Sequence, residues 1–63
     1  MANPRYEMMA FADRDCEQQT DAEWHDSYVT ARRAADDAFV NGAVEFACVR
    51  DHERGFFPYR VTR

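Results

Sequence analysis

Residues 20–42, TDAEWHDSYVTARRAADDAFVNG, decide the fold. The opening Thr20-Asp21-Ala22-Glu23 has the spacing of a capping box, in which the Thr20 hydroxyl accepts from the Glu23 amide and the Glu23 carboxylate reaches back to the Thr20 amide. This signature predicts a helix over residues 21–40. Trp24, Tyr28, Ala31, Ala35, Ala38 and Phe39 recur at spacings of three and four, a stripe with aromatics at its ends and a small-residue middle suited to lying on a sheet. Asp26, Arg33 and Asp37 occupy the opposite surface, and Arg32/Asp36 and Arg33/Asp37 are spaced for weak ion pairs of roughly 0.2–0.5 kcal/mol each. Asn41-Gly42 ends the run, glycine being the residue that tolerates a left-handed cap.

Working outward, residues 5–12 (RYEMMAFA) read as a strand, with Tyr6, Met8, Ala10 and Ala12 on one face and Glu7, Met9 and Phe11 on the other. Residues 13–19 (DRDCEQQ) carry too much charge for a core element and read as an acidic surface loop. Beyond the helix the period changes to two. Residues 43–62 read as a hairpin whose strands flank the polar turn Arg50-Asp51-His52-Glu53-Arg54-Gly55. Pro58 lacks a ladder donor, which puts the last strand at a sheet edge or turns the Pro58 nitrogen outward. The expected fold class is α+β: one small domain over residues 1–63, β-α-β-β, with one helix packed on a three-stranded sheet. If the first two strands are neighbours they run parallel through a right-handed crossover; with the last strand central the sheet is antiparallel.

The whole chain is 63 residues with a net charge of −4, small enough that a deep active site with its own supporting shell is not expected. It contains no Leu, Ile or Lys, and ten Ala, so five Phe, three Tyr and Trp24 must supply most of the apolar area. No apolar run approaches the ~18 residues that would span a bilayer, and residues 1–11 lack a secretory leader's hydrophobic stretch, which predicts an intracellular protein without a membrane partner. Cys16 and Cys48 are too few for a disulfide framework.

No nucleophile motif surrounds Ser27, Cys16 or Cys48, and neither His25 nor His52 completes one. A Cys2His2 zinc site from Cys16, His25, Cys48 and His52 fails on its first pair, nine positions apart. The chain is therefore expected to be non-catalytic and to carry no metal or cofactor.

Charge segregation is more informative. Asp13, Asp15, Glu17, Asp21, Glu23 and Asp26 stand against the single cation Arg14 within fourteen residues, whereas residues 41–63 sum to +1. Acids near a helix start favour its dipole, but a ridge of this density also suits a partner with a basic surface and repels phosphates, which argues against direct nucleic-acid binding. The sheet carries an apolar surplus as well. If Tyr6, Met8, Ala10, Val44, Phe46, Cys48, Phe57, Tyr59 and Val61 face the helix, then Met9, Phe11, Val49 and Phe56 share a face that one helix cannot cover. That face is expected to support self-association to a homodimer or to seat a protein partner.

In layout the chain resembles the very small anti-CRISPR proteins of phages and mobile elements, inhibitors of type I systems. The resemblance rests on the opening strand RYEMMAFA, the acidic loop DRDCEQQTD, the helix WHDSYVTARRAADDAF and the hairpin NGAVEFACVRDHERGFFPYR. It implies a non-enzymatic inhibitor, acting in the cytoplasm of a bacterial host, that binds a Cas subunit through an acidic surface imitating DNA. The competing expectation is a small structural or regulatory subunit bound through its apolar sheet face.

Overall fold

The computed structural model describes residues 4–42 and 44–62. They form β1 (Tyr6–Phe11), β2 (Gln19–His25), α1 (Tyr28–Asn41), β3 (Phe46–Asp51) and β4 (Phe56–Thr62). The fold class is α+β, as expected, but the sheet has four strands rather than three. It is antiparallel throughout, in the order β2-β1-β3-β4.

The additional strand comes from the stretch that the capping box assigned to the helix. Residues 19–25 pair with β1 from Phe11↔Gln19 to Tyr6↔His25, and Thr20 is the extra residue of a bulge whose hydroxyl donates to the Ala10 carbonyl at 3.3 Å. The helix instead starts after Ser27, which has extended backbone and whose Oγ accepts from the Val29 amide at 3.2 Å. A local cap contributes about 1 kcal/mol, whereas leaving the edge of β1 without a partner would forfeit a whole ladder of hydrogen bonds. Tertiary pairing therefore overrides the local signal. Inserting β2 also reverses the chain once more, so β1 and β3 meet antiparallel and the parallel crossover does not occur.

Gly42 caps α1 with φ −100° and not in the left-handed region. Its value is steric: a Cβ at Gly42 would lie 2.7 Å from the Ala38 carbonyl, to which the Gly42 amide donates at 2.9 Å. Ala43, expected to open the second strand of the hairpin, lies outside the described residues.

The core lies between α1 and the central strands. Ala31 and Ala35 of the helix pack over Met8 and Ala10 of β1 and Ala47 and Val49 of β3, with Val44 closing one end. Tyr28, Ala34, Ala38 and Phe39 extend the helix stripe, and Tyr6, Tyr59 and Val61 fill in from the sheet. Trp24 does not belong to it; this residue sits on β2, half exposed, on the other side of the sheet.

Strand β3 turns to the helix the face opposite to that expected at residues 46–49, whereas β4 keeps Tyr59 and Val61 on the expected helix side and departs only at Phe56 and Phe57. In β3 it is Ala47 and Val49 that face the helix, and Phe46 packs on the outer face against Phe11, ring centroids 5.9 Å apart. A helix face made of alanine comes too close to the sheet to leave room for Phe46, so the small Ala47 takes the place beneath it. In β4 the register gains a residue between the Val49↔Tyr59 and Asp51↔Phe56 pairs, a bulge at Phe57-Pro58 on an edge strand where the missing donor of Pro58 costs no ladder bond. The bulge sends Phe57 to the outer face and Phe56 to the helix-side rim beside Tyr6, Tyr28 and Pro58.

Truncating the largest fully buried side chain should therefore be severe. Met8→Ala is expected to cost roughly 2–5 kcal/mol, which leaves a domain of this size largely unfolded at 37 °C in thermal melts followed by circular dichroism. Ser27→Ala is expected to cost about 1 kcal/mol, with a smaller loss for Thr20→Ala.

Candidate functional site

The six acids of the sequence ridge gather along one side of the fold. Asp21 and Glu23 lie on β2, an edge strand exposed along its whole length except at His25, with the loop carrying Asp13, Asp15 and Glu17 before it and Asp26 after it. By register, Asp21 and Glu23 sit opposite Ala10 and Met8 on the helix side of the sheet. Carboxylates there also suit the edge itself, since charge discourages unplanned strand addition to the open row of amides and carbonyls.

The six are not equivalent. Asp13 is occupied in building its loop: its carboxylate accepts from the Glu17 amide at 3.0 and 3.3 Å and from the Gln18 amide at 3.0 Å, while Ala12 N–H donates to the Gln18 carbonyl at 2.9 Å. This turn holds Cys16 at φ 59°. Asp21 accepts from the Ala22 amide at 2.9 Å, and Glu23 lies 3.3 Å from His25 Nε2. Asp15, Glu17 and Asp26 form no ion pair among the described residues.

A second feature is the sheet face turned away from α1. Met9, Phe11, Phe46, Cys48 and Phe57 form an apolar groove of about 340 Å³, bounded by Cys16 of the acidic loop at one end and by Arg50 and Arg60 toward β4. Of the four residues expected there, Met9 and Phe11 belong. Val49 is fully buried beneath the helix and Phe56 lies on the opposite rim; Phe46 and Phe57 take their places. Arg60 follows from the alternation of the last strand, whereas Arg50 was not singled out from sequence because its position depends on the phase of β3. Arg50 lies over the Phe57 ring at 5.8 Å. Toward the other edge Trp24 stacks on His52 at 4.6 Å, and His52 Nε2 is 2.8 Å from Glu7 Oε1.

The tightest polar constellation is elsewhere. Asp51, 2 % exposed, accepts Arg5 Nε and Nη2, each at 2.9 Å, and the Glu53 and Arg54 amides at 3.0 and 3.2 Å. The Arg5 fork is the main cause holding the Asp51 carboxyl down at about 2, while burial works against it. Asp51 thus knots the start of β1 to the β3–β4 turn, where Gly55 adopts φ 75° and donates to the Asp51 carbonyl. Tyr59 donates a short hydrogen bond to Asp36, which raises its phenol above the ordinary value, with Arg32 over its ring at 4.7 Å. Each arrangement ties two elements together, and Arg5 and Asp51 also line a depression of about 340 Å³ shared with Tyr6, Tyr28 and Phe56.

The described residues contain no group of three or more His, Cys, Asp and Glu able to hold a metal ion, and no helix long and apolar enough to cross a membrane. Cys16 is exposed and Cys48 buried, both as free thiols. Burial pushes Cys48 up to about 11. No family model, curated protein or solved structure gives a significant match to the chain.

Two outcomes follow from these groups. The stabilisation from Asp51 is complete above the unfolded carboxyl value of 3.8 and is lost as pH falls through about 2. Urea unfolding of wild type should weaken across that window, whereas Asp51→Asn should be less stable at pH 6 and flatter between pH 4 and 2. With an aromatic disulfide reagent at pH 8, Cys16 should react first, and Cys48 only at the rate of opening of the fold.

Proposed function

We propose that this chain is a non-catalytic protein-binding inhibitor whose acidic edge enters a basic groove that its partner uses for nucleic-acid phosphates. What supports the reading above all is the exposed edge strand β2, which carries Asp21 and Glu23 between Asp15 and Glu17 on one flank and Asp26 on the other. A rigid strand holds carboxylates at about 6.6 Å intervals on one face, close to the spacing of phosphates along a nucleic-acid strand. The net charge of −4 is consistent with steered association to a cationic surface and opposes direct contact with nucleic acid. In the manner of the anti-CRISPR proteins that the layout resembles, the partner is a Cas subunit of a type I system and the setting a bacterial cytoplasm.

The uncovered sheet face favours a second reading, a structural or regulatory subunit held through Phe57 and its neighbours. The two respond oppositely to salt and mutation. With a type I surveillance complex as the probe, replacing Asp15, Glu17, Asp21 and Glu23 by Asn and Gln should weaken binding at least about tenfold, ~1.4 kcal/mol, and flatten its salt dependence. Unchanged affinity in the folded variant would overturn the acidic-edge reading. Loss of affinity with Phe57→Asp alone would transfer the function to the sheet face.

A further inference from the structure

We infer that the open sheet face is a binding site for a small apolar carboxylate, a medium-chain fatty acid whose head is held by Arg50 and Arg60 and whose tail lies along β3 toward Phe11 and Phe46. The inference goes beyond the partner-binding reading and does not rest on it.

The groove on this face, about 340 Å³, falls in the lower part of the range of small-molecule sites, roughly 300–1,000 Å³. Two chemistries line it. Met9, Phe11, Phe46 and Phe57 are apolar, and Cys48, its thiol pushed up to about 11 by burial, is uncharged at neutral pH. Against them stand the guanidiniums of Arg50 and Arg60. Arg60 lies opposite Cys48, and Arg50 is two residues further along β3. Such diagonal neighbours have Cβ atoms about 7 Å apart, near enough for two long side chains to reach one anion. Both arginines are exposed, and neither has an ion pair among the described residues. Glu7 faces Arg50 across β1 and β3, but its carboxylate is engaged by His52 Nε2 at 2.8 Å.

Charge and hydrogen bonding together select the occupant. Guanidiniums donate and accept nothing, and among the described residues no carboxylate, amide or hydroxyl side chain lines the groove. The backbone groups beneath it belong to β1 and β3, interior strands whose ladders take them up on both sides. A nucleobase or a peptide strand laid along the floor would bring donors of its own that find no acceptor there. A carboxylate only accepts, and a hydrocarbon tail needs no partner.

The direction is fixed as well. The acidic loop with Asp15 and Glu17 adjoins the groove at Cys16, beyond the Phe11 end of β1, so an anionic head is repelled from that end and drawn to the arginines. From Phe46 to Arg50 is four residues of strand, about 13 Å at ~3.3 Å each, which sets the length of tail the face can cover. The acidic edge of β2 takes no part in this site.

Isothermal titration calorimetry of the full chain with hexanoate, octanoate and decanoate at pH 7, with amide NMR spectra recorded alongside, tests the inference. Saturable binding of a single decanoate is expected, with the amides of Met9, Phe46 and Cys48 shifting and those of α1 unmoved. Affinity should rise about two- to fourfold per added methylene. Arg50→Gln with Arg60→Gln, both at exposed positions, should weaken decanoate binding at least about tenfold with melting unchanged. Arg33→Gln, on the exposed side of α1, should leave it as it is. Absence of saturable binding overturns the inference, as does an affinity indifferent to tail length or to the two arginines. Retention on vesicles of phosphatidylcholine and phosphatidylserine that free decanoate does not compete away would also overturn it, by assigning the face to a lipid surface. So would a wild-type dimer that Phe57→Asp dissociates and decanoate does not, by assigning the face to a second copy.

Discussion

Everything in this fold depends on how closely α1 can approach the two central strands. Ala31 and Ala35 above, with Ala10 and Ala47 below, bring backbone near to backbone, and Met8 and Val49 fill the space that remains. With no Leu or Ile in the chain, this is a core of small volume, and its cohesion comes from short separations more than from large side chains. The constraint then propagates. Because the space beneath the helix is shallow, the bulky Phe11 and Phe46 are turned to the far side of the sheet, and the outer face becomes aromatic for the same reason that the inner one is not.

The periphery holds this thin core in place by polar ties between distant segments. Arg5 and Asp51 join the beginning of β1 to the end of β3, and Asp51 simultaneously caps the turn that launches β4. Tyr59, by donating to Asp36 while Arg32 lies over its ring, ties β4 to the helix. Such contacts work because each charged group is fully hydrogen-bonded where it is shielded from water. Of the two open surfaces, the acidic β2 edge uses Asp13 to shape its own loop and the outer face holds His52 through Glu7 and Trp24.

These surfaces differ in kind. The β2 edge is polar and negatively charged, suited to long-range attraction and to exclusion of like strands. The outer face is apolar at its centre with cations along one side, suited to short-range complementarity. A single layer of helix over a four-stranded sheet makes both inevitable: one face must go uncovered, and two edges must go unpaired.

Much of this was legible in the chain. The alternation of Tyr6, Met8 and Ala10 with Glu7, Met9 and Phe11 set the faces of β1, because a strand's period of two is a local property. The spacing of Tyr28, Ala31, Ala35, Ala38 and Phe39 set the buried stripe of the helix, Pro58 marked an edge, and the acids announced an exposed segment. What the sequence could not decide was whether residues 19–25 continue a helix or complete a sheet, since TDAE carries a valid cap and the alternative reward is a ladder with β1. Nor could it decide which face of β3 is inside, or that a bulge at Phe57-Pro58 exchanges the places of Phe56 and Phe57. The acid ahead of a polar turn ending in Gly55 hinted at a cap, but its partner Arg5 lies 46 residues away. These features are set by contacts between segments remote in the chain, and by the closeness of an alanine-faced helix to its sheet. Local propensities worth a kilocalorie or less yield to such contacts because pairing and burial act over whole elements at once.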